Sequence, residues 1–565
     1  MKRLLLAVSF VFLAFFLGRA ALNPLNGKMF NFHDDTQAAR IQQFVLNIRN
    51  SHFPPRIAPS FSNKLGFPVF NFYAPAPYWI TSAFHFAGLD VITSLKVSFL
   101  LALLLGFYFM YKFLNLYFGK YQSIFGGLLY ASSPWMAVEI FIRGNLAEIW
   151  FLALLPLVFY MIAINGRSKS PTIFLLTVIS LSLGLTSHNV LSIVLLPMTI
   201  VFIFLNSKRM KNYLALALAF MLSAYFFVPA VLEVGMTQAA AIAQNRHYVD
   251  HLLCPWQLWT TRFWGYGGSG PDCDNDGMPF MLGKPQIILG LVGLAFLVKE
   301  LLTKRKSPDK KIYLFMMATG LGAIYLSITP SAYVSKMLEP ALSFFQFPWR
   351  FSSFSIFAIA FSASAIRFPK FARKSEFLLT FAALFIVFYN SKFFTKHLMD
   401  NARFNKDYLS DIYITKMVVY KVAEYLPKAV NYSTWLTYEP IKGRPWKKDP
   451  TLDDGKFIHL LEGGRVQLLK NGLFEKQAET VPGTAVINVH YMPYWKIYIN
   501  KKEVFPEKFD DMGRPVFNLK SPSLIDVKYE QTPIEKSGNI LSLVTMALLI
   551  TIVKNRKLWK RIEML

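Results

Sequence analysis

The sequence contains no Walker-type phosphate loop, no dinucleotide-binding glycine fingerprint, no nucleophile elbow and no HExxH metal motif. The common routes to nucleotide, hydride, serine-hydrolase and zinc-protease chemistry therefore have no foothold in it. Cysteine is almost absent: Cys254 and Cys273 are the only two in 565 residues, which excludes a disulfide-dense scaffold and leaves any zinc site short of nearby ligands. Acidic residues are also scarce, 33 against 60 Lys and Arg, for a formal net charge of +27. Apolar residues fill the chain instead: 54% are hydrophobic, 16% are aromatic, and 54 are phenylalanine, a usage foreign to soluble globular domains. The chain reads as an integral membrane protein.

Windows long enough to cross a hydrocarbon core of roughly 30 Å predict a polytopic α-helical protein of about twelve spans. The first is "LLLAVSFVFLAFFLG" and the last "ILSLVTMALLITIV", with others beginning near Leu95, Ser123, Ala147, Thr172, Val190, Tyr213, Pro285, Ile312, Phe351 and Phe377. The basic runs "NGRSKS", "NSKRMKN", "TKRKSPDKK", "RFPKFARKSE" and "KNRKLWKRIEML" fall in alternate loops, the pattern of cytoplasmic loops. Nucleic-acid binding would gather these charges on one face, so nucleic acid is not an expected partner and membrane lipid is. Both termini are expected in the cytoplasm of a plasma-membrane protein, whether or not "GRAALN" is a cleavage site after the first span. The expected organisation is a membrane domain over 1–391, with outside loops 21–93, 232–284 and 329–350. An extracytoplasmic domain over 392–536 and a last span with a basic tail over 537–565 complete it.

Both cysteines fall in one outside loop. A disulfide closing it and two unrelated thiols are both compatible with the sequence.

The outside pieces carry the candidate chemistry. In "NFHDDTQAAR" the adjacent Asp34 and Asp35 precede a helical pattern, with Ala38, Ile41, Phe44, Val45 and Ile48 on one face, expected to lie on the membrane surface. Asp34 with Gln37 also reads as a capping box, although capping needs one acid and two are present. The proline-rich "FPPRIAPSFSNKLGFPVFNFYAPAPYWI" precludes a long helix. Its Phe70, Phe72, Tyr73, Tyr78 and Trp79 read as an interfacial aromatic belt, and Arg56 and Lys64 as phosphate contacts or snorkelling cations. In "EIFIRGNLAEIW", Arg143 and Glu148 are ionisable groups at a span mouth, either a ligand site or an ion pair anchoring a helix end, with Glu139 a lesser candidate beside them. His188 in "LTSHNVLS", and Gln346 and Arg350 in "FFQFPWRF", mark further outer span ends. Carboxylates beside cations at a membrane face suit group transfer from a lipid-linked phosphate to a hydroxyl: the acid takes the acceptor proton and Arg holds the phosphate.

"HDDTQAARIQQF", "GFPVFNFYAPAPYWI", "IRGNLAEIWFLALLPL", "TSHNVLSIVLLP" and "FQFPWRF", in that order, resemble the bacterial membrane proteins called 6-pyruvoyl-tetrahydropterin synthase-related, a label that implies no pterin chemistry. "VHYMPYWKIYINKKEV" is similar to the tail of YfhO-like membrane proteins. Both groups are similar to C-type (GT-C) glycosyltransferases, and the resemblance spans nearly the whole chain except roughly 392–482. It implies a GT-C-like fold and sugar transfer from a polyprenyl-phosphate donor to an extracytoplasmic glycan, lipid or protein. By that resemblance Asp34 or Asp35 would be the loop acid, and Arg143 with Glu148 the second polar outside motif; the reading of the residues themselves adds Arg40, His188 and Arg350 as candidates at the donor phosphate or substrate. A divalent cation held by the acids and phosphate is compatible with the residues without being demanded by them.

Within 392–536, "DYLSDIYITKMVVYKVAEYLP" looks helical, while "GRVQLLK", "AVINVHY", "WKIYIN" and "SLIDVKY" predict a small antiparallel β-sandwich. Tyr491, Tyr494, Trp495 and Tyr498 are sugar-stacking candidates or, more in keeping with strand aromatics, its core. A lipid-linked glycan transporter and a noncatalytic envelope scaffold are the alternative functions. The first usually leaves polar, broken spans near mid-membrane, and the second needs neither paired acids nor Arg143.

Overall fold

The computed structural model describes the chain apart from residues 1, 19–20, 208, 244–246, 270–272, 274–276, 304–308, 370–374, 439–446, 448 and 565. Each predicted apolar segment is helical. Six helices are long and apolar enough to cross a membrane: Val91–Leu114, Leu146–Arg167, Asn189–Asn206, Lys284–Leu302, Ser375–Phe393 and Pro533–Lys554. Two bent pairs, Lys120–Ala131 with Pro134–Arg143 (41°) and Met210–Leu222 with Ala224–Met236 (66°), raise the number to eight among the described residues. The expected twelve exceed this because several segments, such as Pro171–Leu185 and Ser352–Ala363, form shorter helices.

The first bend has a local cause. Ser133 accepts a hydrogen bond from the Trp135 backbone N–H and Pro134 opens the next helix, so the chain stops and restarts. That helix ends in a π-helical turn, Val138–Arg143, capped by Gly144 at φ 63°. Glu139 and Arg143 are buried on this turn, and the wider winding of a π turn is commonly found at functional sites.

The first loop is folded into the protein. Strand Lys28–Phe30 pairs antiparallel with Leu398–Asp400, joining the loop to the start of the C-terminal region. The predicted helix is present over Gln37–Arg49, but Ala38, Ile41, Phe44 and Val45 are buried together with Gln37, Arg40, Gln43 and Asn47, and Ile48 is half-buried; protein rather than lipid covers most of it, which corrects the surface placement. The capping box is absent: the N-cap is Thr36, with no side-chain cap hydrogen bond. The aromatic-belt reading fails for Phe70, Phe72 and Tyr78, which are buried. Arg56 is buried too, donating to Asn71 Oδ1, the Tyr225 carbonyl and Asn539 Oδ1, while Lys64 pairs at the surface with Asp411.

The C-terminal region carries two antiparallel sheets. One orders Ile458–Leu460, Gly483–Ile487, Pro515–Leu519 and Lys508–Phe509; the other orders Val466–Asn471, Glu475–Thr480, Ser523–Tyr529, Trp495–Ile499 and Lys502–Val504. Alternate residues of Ser523–Tyr529 are buried, the period of a strand with one face on a core. Tyr494 and Trp495 belong to that core, while Tyr491 and Tyr498 are half-buried. The sheets rest on the first loop, where the His490 backbone N–H donates to the Leu65 carbonyl (2.8 Å) and its buried ring meets Ser62 Oγ at 2.6 Å. Cys254 and Cys273 are joined as a disulfide, with Cα atoms 5.7 Å apart.

Candidate functional site

Glu148 is the centre of a buried polar cluster. It lies in the first turn of Leu146–Arg167, where Asn145 accepts a hydrogen bond from its backbone N–H. Its Oε1 lies 2.7 Å from Arg143 Nη1, 3.2 Å from Arg350 Nε and 3.4 Å from His188 Nε2. Arg143 Nη1 also donates to both oxygens of Glu139, at 2.9 and 2.8 Å, and its guanidinium stacks 4.3 Å from the Trp349 ring. The π turn Val138–Arg143, the start of Leu146–Arg167, the cap of Asn189–Asn206 and the short turn Pro348–Phe351 thus place two carboxylates, two guanidiniums and an imidazole together. Buried charges persist only when paired in this way.

Each partner is itself oriented. His188 caps Asn189–Asn206, its Nδ1 accepting from the Leu191 N–H at 3.2 Å. In the neutral ring the proton then sits on Nε2, facing Glu148. Arg350 Nη1 donates to the Phe345 carbonyl and to Gln346 Oε1, both at 2.9 Å. Gln346 adopts φ 61°, a strained conformation for a residue with a Cβ. Each arginine keeps an Nη2 that, among the described residues, donates no hydrogen bond. Glu148 Oε2 is likewise buried and without a partner.

The two opening acids part company. Asp34 adjoins the cluster: its backbone N–H donates to the Arg143 carbonyl (2.7 Å), and that of His33 to Ile142 (3.0 Å). Its Oδ1 meets His33 Nδ1 at 2.8 Å, and the side chain stays 24% exposed, open enough to meet a ligand. Burial raises its pKa, but the His33 hydrogen bond and the charges of Arg143, His33 and Arg40 outweigh it, and the carboxyl lies below its ordinary value. Asp35 turns away into a clamp made by the C-terminal region, hydrogen-bonded by Tyr413 and paired with Lys421 at 2.7 Å. Lys421 also donates to the His33 carbonyl at 2.8 Å. Burial raises the Asp35 pKa despite those contacts, and raises that of Tyr413 beside it.

Arg40 also stands apart. Its Nη1 donates to Tyr78 Oη at 3.1 Å and its guanidinium lies 4.7 Å from the Tyr73 ring, so it reaches Asp34 through charge alone. Of the seven residues singled out from the sequence, Arg143, Glu148, His188 and Arg350 touch, Asp34 borders them, and Asp35 and Arg40 serve neighbouring networks. Missed were His33, Trp349, Tyr413 and Lys421, and Glu139 was undervalued although its four-residue spacing to Arg143 was a legible signal. Among the described residues no group of three His, Cys, Asp or Glu side chains is placed to hold a metal ion.

A family model for membrane proteins with a 6-pyruvoyl-tetrahydropterin synthase related domain matches residues 70–396, more than half of the chain. The chain belongs to that family. The family's matched stretch holds Arg143, Glu148, His188 and Arg350, while Asp34, Asp35 and the Tyr413–Lys421 clamp lie outside it. Curated proteins give no match. Among solved structures, the chain is similar to the arabinofuranosyltransferase AftD from Mycobacteria (13% identity, 72% of this chain and 28% of that one, TM-score 0.41). It is similar to ArnT from Cupriavidus metallidurans bound to undecaprenyl phosphate (14%, 64% and 59%, 0.37). It is also similar to the Archaeoglobus fulgidus oligosaccharyltransferase (12%, 73% and 60%, 0.41). The chain spans less than two thirds of each, and likeness this loose assigns no residue and no activity.

Proposed function

We propose that this family member is a membrane glycosyltransferase that moves a sugar from a polyprenyl-phosphate donor to a hydroxyl of an extracytoplasmic glycan, lipid or protein. The observation that carries the reading is the junction of Asp34, a mostly buried but still reachable carboxylate held below its ordinary pKa, with Arg143 and Arg350, which each retain an unengaged Nη2. The donor class follows from the sequence resemblance to C-type glycosyltransferases.

In the transfer, the acceptor oxygen forms a bond to the anomeric carbon as the bond from that carbon to the phosphate oxygen breaks. The electron pair of the broken bond leaves with polyprenyl phosphate. The acceptor proton passes to the Asp34 carboxylate, which is a weak base in the ground state and a competent one once the forming bond has acidified the hydroxyl. Arg143 and Arg350 meet the charge growing on the phosphate, and their orientation by Glu139, Glu148, Gln346 and Trp349 removes the reorganisation a mobile side chain would need. Asp35 positions the loop and does not react.

The test is transfer of radiolabelled sugar in membranes, from a panel of polyprenyl-phosphate pentoses and hexoses. The parent is expected to transfer label from at least one donor, and Arg350→Gln to lose it while remaining folded. Failure of a folded parent with the whole panel, or full activity in Arg350→Gln, contradicts the proposal.

A further inference from the structure

A second place in the molecule joins an apolar furrow to a basic pocket, and the proposed transfer uses neither. The furrow, ≈ 290 Å³, runs between helices Lys284–Leu302, Lys310–Ser327 and Ser352–Ala363, which pack closely where Gly290 faces Ile359 and Gly320 faces Ala358. The pocket, ≈ 150 Å³, is lined by Thr260, Lys284, Asn390 and Lys392 among others, and Trp259 forms a wall of both. Apolar chain space thus continues into polar head space.

The charges of the pocket are unbalanced. Lys284 begins its helix and Lys392 stands at the end of the span Ser375–Phe393, so both lie where lipid headgroups would be. A cation in the first turn of a helix opposes the macrodipole, and the Gly283 N-cap offers no side-chain acceptor to offset it. Among the described residues neither ammonium lies in an ion pair; Lys284 faces the Trp259 ring (5.7 Å) and Lys392 the Tyr389 ring (4.1 Å).

The head group is chosen by charge. An ethanolamine head would bring a third ammonium beside the two lysines, whereas a head without a cation leaves the phosphate charge to offset them.

We propose that this composite site binds an anionic glycerophospholipid, phosphatidylglycerol in preference to a zwitterionic lipid. Its phosphate lies between Lys284 and Lys392, and an acyl chain fills the furrow past Trp259. The site is separate from the Glu148 cluster, and its occupancy does not depend on the transfer reaction.

The test is native mass spectrometry of the full chain after exchange into micelles with equal amounts of phosphatidylglycerol and phosphatidylethanolamine, and in a second arm polyprenyl phosphate. The parent is expected to retain one phosphatidylglycerol in preference to phosphatidylethanolamine. A lysine beside an anionic lipid is worth about fivefold, so Lys284→Gln with Lys392→Gln should lower retention about thirtyfold. Leu291→Trp, on the exposed rim of the furrow, should lower it without touching the lysines, and Lys64→Gln should not change it. Equal retention of both phospholipids, parental retention in the double lysine variant, or displacement by polyprenyl phosphate that those lysines govern would each overturn the assignment.

Discussion

The clamp on Asp35 makes a quantitative prediction. Lys421 Nζ sits 2.7 Å from Asp35 Oδ2, with side-chain exposures of 29% and 13%, and Tyr413 donates to the other oxygen. A charge-assisted hydrogen bond contributes about 1.5–3 kcal/mol when buried and an exposed pair about 0.2–1. Partial exposure of the lysine places this pair at about 1–2 kcal/mol. The segment that would open is Tyr413–Tyr425, whose amides of Val418 and Lys421 are hydrogen-bonded locally. Asp35→Asn and Lys421→Met should each accelerate amide hydrogen exchange there about 5–30-fold, since 1.4 kcal/mol is a factor of ten. The double variant should open no more than the more open of the two singles, because the contact can be lost only once. Exchange at the parental rate in both singles, or effects that add in the double variant, would refute the clamp.

Three further outcomes follow from the site. Glu148→Leu leaves buried Arg350 without a carboxylate and Arg143 with Glu139 alone, and should cost about 3–5 kcal/mol, read as a large fall in thermal midpoint, with Glu148→Gln falling less; an unchanged midpoint for the leucine variant contradicts the pairing. Asp34 has a depressed pKa in the folded protein, so the stability it contributes is complete above the ordinary carboxylate value and is lost as pH falls through the lower folded value. The acid limb of stability that Asp34→Asn removes should accordingly lie below pH 3.8, and a limb removed near pH 6 would be the wrong sign. Gly144→Ala places a Cβ 2.0 Å from the Phe32 ring at φ 63°, a left-handed position costing about 1–2 kcal/mol before any clash. Because the neighbouring carbonyls hold His33 and Asp34, transfer should fall at least about tenfold, and parental transfer would show that this contact does not position the acid.

The sequence disclosed features whose cause is local or periodic. The apolar segments emerge as helices, and "AVINVHY", "WKIYIN" and "SLIDVKY" contain strands, because run length and alternation are visible in one dimension. The polar residues at outer span ends were legible because charges are rare near apolar runs, and Arg143, Glu148, His188 and Arg350 do meet. The division between Asp34 and Asp35 was not legible. Tyr413 and Lys421 lie 378 and 386 residues from Asp35, and no local pattern carries a contact of that span. The same blindness misplaced the helix Gln37–Arg49: its periodicity marked an apolar face, but Gln37, Arg40, Gln43 and Asn47 are buried as well, under parts of the chain that periodicity does not see, and only Gln42 and Arg49 stay exposed. The shortfall in spans has a physical origin as well, since the break at Ser133–Pro134 bends an apolar stretch without making it less apolar.

The most direct test of the central claim is sugar transfer by the purified parent, Asp34→Asn and Asp35→Asn at matched amount and thermal stability. If Asp34 takes the acceptor proton, its variant should lose about a hundredfold or more in kcat, while Asp35→Asn keeps activity within about tenfold through its remaining bond to Tyr413. Full activity in Asp34→Asn, or loss in Asp35→Asn alone, would contradict the assignment of the two acids.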